Sequence, residues 1–91
     1  MGYKYHLQLD KAGNTESETE SMEFDFENHD DIFRIVQMLE QSGRFGDSVE
    51  VRRFAVGLKL LGGVMMDNRD NELFKDFEPA FGAFMRKLKG R

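Results

Sequence analysis

Asn28 to Met38 reads N-H-D-D-I-F-R-I-V-Q-M, and no other stretch limits the folding of this chain more tightly. Before it, Met22, Phe24 and Phe26 alternate with Glu23, Asp25 and Glu27, the period-two pattern of a strand with one dry face. After it, Ile32, Ile35, Val36 and Leu39 recur at the spacing of one helix face, while Arg34, Gln37 and Glu40 fall on the other. A strand must therefore end and a helix begin within a few residues. Asn28 is the expected N-cap of a helix running from about His29 to Gln41. Asp30 and Asp31 would lie in its first turn, where carboxylates meet open amides and the positive end of the helix dipole. Gly43 is placed to close this helix in a left-handed conformation.

Upstream, Tyr3, Tyr5, Leu7 and Leu9 alternate with Lys4, His6 and Gln8, which predicts a first strand pairing with the second. The polar link from Asp10 to Ser21 offers Gly13-Asn14 as its turn. Parity restricts the register. If paired positions sum to an odd number such as 29, Tyr3 faces Phe26, Tyr5 faces Phe24 and Leu7 faces Met22, with Lys4 across from Asp25 and His6 across from Glu23. An even sum would set acids against tyrosines and split the apolar face.

Asp47 and Glu50 stand three apart, an acidic form of the capping box, and open a second helix from about Ser48 to Met66. Its apolar residues nearly surround it, which suits a central helix or a subunit contact. Gly57, Gly62 and Gly63 weaken it by up to about 1 kcal/mol each relative to Ala, and close approach of another backbone is the expected compensation. After the polar break Asp67–Asn71, Phe74, Phe77, Phe81, Phe84 and Leu88 recur at helical steps, interrupted by Pro79. A proline ring clashes inside a helix but suits a first turn, so a short turn at about 71–76 and a main helix from near Glu78 are expected. The fold class is α+β, an N-terminal antiparallel β-hairpin packed on three to four α-helices in β-β-α-α-α order, as one domain over residues 1–91.

Composition narrows the chemistry. Hydrophobic residues make up 40% of the chain, nine of them Phe, enough for a core without staples. There is no cysteine, which rules out disulfides, thiolate metal sites and thiol catalysis. Met1-Gly2-Tyr3-Lys4 lacks the apolar run of a signal peptide, and the longest apolar stretch, Phe54 to Met66, falls short of the roughly 20 residues a bilayer requires. A cytoplasmic protein is expected, with no membrane partner. Residues 1–31 carry nine acids against Lys4 and Lys11, a net of −7, within a total of −4. The basic residues crowd only at Arg86, Lys87, Lys89 and Arg91, too few for a general nucleic-acid binder.

Each cluster with chemical potential has a plainer explanation. His29-Asp30-Asp31 has metal or acid–base residue types, but neighbours on a helix diverge by about 100°, and capping accounts for all three. Glu16, Glu18, Glu20, Glu23, Asp25 and Glu27 form an acidic ribbon, read as a solvated sheet face; alternate acids stand too far apart for a compact calcium cage, and a basic partner is the main other reading. Asp67 to Glu72 fails as a calcium loop, because Arg69 occupies a ligand position and Glu72 stands where glycine is required. The Phe stripe reads as core, and the basic end as a favourable helix terminus. His6 and His29 are the only imidazoles, and neither nucleophile elbow nor phosphate loop is present. No catalytic, cofactor-binding or metal-binding residue is assigned, and no cofactor is expected.

Three motifs, Asn28-His29-Asp30-Asp31-Ile32-Phe33, Gly57-Leu58-Lys59-Leu60-Leu61-Gly62 and Phe81-Gly82-Ala83-Phe84-Met85-Arg86-Lys87-Leu88-Lys89, carry a resemblance. Over residues 22–90 the chain resembles a family of short bacterial proteins catalogued as a domain of unknown function. The resemblance implies a small α+β domain and transfers no activity or functional residue. The leading expectation is a non-catalytic protein-interaction module, with homodimerisation through the apolar second helix as one form of it. A small-molecule binder with a Phe/Met-lined pocket is the alternative, and a carboxylate/His enzyme built on His29 comes last.

Overall fold

Alternating side chains give two eight-residue strands, β1 (Tyr3–Asp10) and β2 (Ser21–Asn28), in an antiparallel two-stranded sheet. The computed structural model describes residues 2–12 and 20–90. The expected Gly13-Asn14 turn, Glu16, Glu18 and Arg91 lie outside the described residues. Two compact units divide the chain, Met1–Val56 and Gly57–Arg91.

In the first unit the pairing is odd, as parity requires, but shifted by two residues from the expected sum of 29. Tyr3 faces Asn28, Tyr5 faces Phe26, Leu7 faces Phe24 and Leu9 faces Met22. The shift keeps three apolar cross-strand pairs and sets Tyr3 opposite Asn28, because β2 continues through Asn28 instead of ending at a cap there. The helix accordingly starts later than expected. Helix α1 covers Ile32–Ser42 and its N-cap is Asp31, whose carboxylate accepts from the amides of Phe33 and Arg34. Asn28 has a different task, its Oδ1 accepting from the Asp30 amide at 3.0 Å in a turn between strand and helix. The Tyr5 hydroxyl joins the two elements. It donates to the Asp30 carbonyl at 3.0 Å and accepts from the Ile32 amide at 2.8 Å, satisfying a helix-start donor that would otherwise lack a partner. Gly43 closes α1 at φ 75°, the left-handed position expected of it.

Helix α2 spans Ser48–Asp67. Asp47 Oδ1 accepts from the Glu50 amide at 2.8 Å, and Glu50 Oε1 reaches back to the Gly46 amide at 2.8 Å, one residue before the usual capping-box target. Ser48 Oγ donates to Glu40 Oε2 at 2.7 Å, tying the start of α2 to α1. Ile32, Val51 and Ala55 are buried, with Ile35, Val36, Leu39, Phe45 and Phe54 half-buried. The rings of Phe45 and Phe54 sit 4.8 Å apart.

In the second unit, the end of α2 is followed by α3 (Glu72–Lys75) and α4 (Glu78–Gly90). Asn68 Nδ2 donates to the Val64 carbonyl at 2.8 Å, and Asn71 Oδ1 accepts from the Leu73 amide at 2.8 Å, so the polar break closes one helix and caps the next. Pro79 is in the first turn of α4, as expected. Met65 is buried, but the Phe stripe is not a sealed core. Phe74 and Phe81 are half-buried, and Phe77 and Phe84 are exposed. Among the described residues, the expected backbone approach to the α2 glycines is also absent. A Cβ on Gly57 or Gly63 would meet nothing within 4 Å, and one on Gly62 only the Phe81 ring at 3.7 Å.

Candidate functional site

Strand alternation sorts the hairpin into two chemically opposite faces. One carries Tyr3, Tyr5, Leu7 and Leu9 beside Met22, Phe24, Phe26 and Asn28, with no charged side chain among them. The other carries every ionisable group of the two strands apart from the tyrosines: Lys4, His6, Asp10, Glu23, Asp25 and Glu27.

On the charged face His6 stands directly opposite Asp25 and diagonal to Glu23. Its Nδ1 lies 2.6 Å from Asp25 Oδ1 and its Nε2 lies 3.0 Å from Glu23 Oε1. Only the imidazolium can donate at both nitrogens, so the hydrogen bonds to Asp25 and, next, to Glu23 raise the His6 pKa above its ordinary value of 6.5. This cluster is a clamp between strands. A general base needs an imidazole nitrogen open to substrate, and here both face carboxylates. Nearer the loop, Ser21 Oγ donates to Asp10 Oδ1 at 2.7 Å and Gln8 adds a weaker bond, together holding the Asp10 carboxyl below its usual range. An open concavity of about 590 Å³ borders the clamp, lined by Lys4, Tyr5, His6, Asp25, Phe26 and Glu27. It is too open to enclose a small molecule as a ligand cleft does, and it includes no member of the Phe74–Phe84 stripe.

His29 is exposed and lies between the end of β2 and the start of α1, not in the helix where it was expected. Among the described residues, no three His, Asp or Glu side chains are arranged to hold a metal ion. Among the described helices, none is long and apolar enough to cross a membrane.

The apolar face is unevenly covered. At its Tyr5–Phe26 end the two rings stack at 5.2 Å, and Phe33 from the first turn of α1 stands 6.3 Å from Tyr5. Phe33 is itself 73% exposed, and along the strands Tyr3 is 51%, Leu9 58%, Met22 58% and Phe24 40% exposed. The sequence had shown which residues share this face. It could not show how little of the face the chain itself covers, because amphipathic spacing reads the same whatever the partner.

The match to known proteins runs through both faces. Residues 3–90 match a family described as a domain of unknown function with a solved structure, DUF3861. The chain belongs to the DUF3861 family. The match begins at residue 3, so the family also takes in β1, upstream of the residues 22–90 over which the sequence carries the resemblance. Among solved structures, the chain is similar to a crystallised protein of unknown function from Pectobacterium atrosepticum. The two are 33% identical, superpose with a TM-score of 0.89, and each is covered over 100% of its length. None of the curated proteins compared with this DUF3861 chain matches it.

Proposed function

We propose that this chain is a non-catalytic protein-interaction module of the cytoplasm, and that its contact surface is the charge-free face of the hairpin. The observation that carries this reading is the exposure of Tyr3, Leu9, Met22 and Phe24 on the uncharged strand face, with the exposed Phe33 of α1 standing near Tyr5. At about 200 Å² for a large side chain, they leave roughly 550 Å² of apolar surface open to water. That is near the upper end of the largest patch on a typical monomer, about 300–600 Å², and such patches are commonly contact sites. A surface with an apolar centre and no charged groups of its own is the complementary partner, since a charged one would be desolvated there without a counter-charge. The non-catalytic half draws support from His6, whose ring nitrogens are both engaged by carboxylates.

A photoreactive phenylalanine analogue at Phe24, compared in living cells with the same group at Gln8 on the opposite face, tests the reading. Discrete protein adducts from position 24 and none from position 8 are expected. Equal labelling from both faces, or no adduct from position 24, overturns it.

A further inference from the structure

We infer that the charge-free hairpin face is covered by the same face of a second copy of this chain, the two hairpins stacking about a two-fold axis. This deepens the interaction reading above and rests on it. Charge is the first reason. Residues 1–31 carry a net of −7, and the total of −4 would keep copies apart if acids met at the contact. The strands place Glu23, Asp25 and Glu27 on the far side from Tyr5, Leu7, Phe24 and Phe26. Stacked sheets lie about 10 Å apart, so these strand acids of two copies would stand on opposite outer surfaces, beyond the screening length of about 8 Å at physiological salt. The surface that meets is neutral, and like copies are not penalised.

Area is the second reason. Two copies would bring together roughly 1,100 Å² of exposed apolar surface, twice the single-face value. Homodimer contacts are about 65% apolar, so this apolar part alone approaches the range of about 1,200–2,000 Å² for stable specific interfaces before any polar rim is added. The arrangement of the bare residues fits the symmetry. Leu9 and Met22 lie at the loop end of the hairpin, and Tyr3 and Phe33 toward the α1 end, with Leu7 and Phe24 between them. A two-fold axis between the Tyr5–Phe26 and Leu7–Phe24 pairs lays the Leu9–Met22 pair of one copy over the Tyr3–Asn28 pair of the other, and the reverse. That is the reciprocity an isologous interface requires.

Sedimentation of the purified full chain from low to high micromolar concentration tests the inference. A mass twice that of the chain is expected. Leu9→Lys and Met22→Lys should each weaken association at least about tenfold, because each would bury an unpaired charge in the contact, while Gln8→Lys leaves it unchanged. Both targets are largely exposed, and far-UV circular dichroism confirms that each variant is folded. A monomer at every concentration overturns the second-copy inference, as does Gln8→Lys weakening association as much as Leu9→Lys. If face-selective adducts still form in cells with another protein, the module reading stands without it; if position 24 yields none, both fall.

Discussion

At the residue scale, His6 shows how one side chain can make pairing depend on pH. Its pKa is raised by Asp25 and Glu23, so the folded hairpin holds the proton more tightly than the unfolded chain does. The resulting stability is fully present below the unfolded value of about 6.5 and is lost as pH rises through the higher folded value. The melting-temperature gap between wild type and His6→Asn should therefore narrow steadily from pH 6 to pH 9. A gap of constant size across that range would mean that the clamp contributes nothing through its proton. Odd parity had already placed His6 among acids. Which acid it faces was not legible, because parity admits several registers and the link around Gly13-Asn14 is too long for that pair to fix one.

At the element scale, the helices were legible in type, while their caps depended on contacts that spacing does not encode. Asn28 and Asp31 are both good N-cap residues, and nothing in local propensity separates them. The choice is made by Tyr5, twenty-seven positions from Ile32, whose hydroxyl receives the Ile32 amide and lets Asp31 serve the next two. Tyr5→Phe keeps the ring but removes that acceptor, and should cost about 1 kcal/mol in chemical denaturation. No loss in that assay would show that water serves the amide equally well. The glycines of α2 offer the opposite case. Gly57 has helical neighbours and open space where a Cβ would go, so Gly57→Ala should stabilise the chain by up to about 1 kcal/mol. A destabilised Gly57→Ala protein would reveal a close neighbour in solution that the isolated chain does not show.

At the scale of the whole molecule, the order of two strands and then helices was legible because period two gives way to helical period once, at one junction. Burial was not. The sequence supplies nine Phe and a 40% hydrophobic content, which reads as a well-filled core. Only Ile32, Val51, Ala55 and Met65 are buried apolar residues among those described, and Phe24, Phe33, Phe77 and Phe84 remain exposed. Hydrophobic spacing states which side of an element avoids water, not whether the same chain provides the shelter.

The phenol oxygen of Tyr5 has one more consequence. Sliding the strands by two positions, to the equally apolar alternative, would carry that oxygen roughly 7 Å along the sheet and strand the leading amide of α1. Strand alignment and helix start are thus decided together, by a single atom that cannot serve one choice without fixing the other.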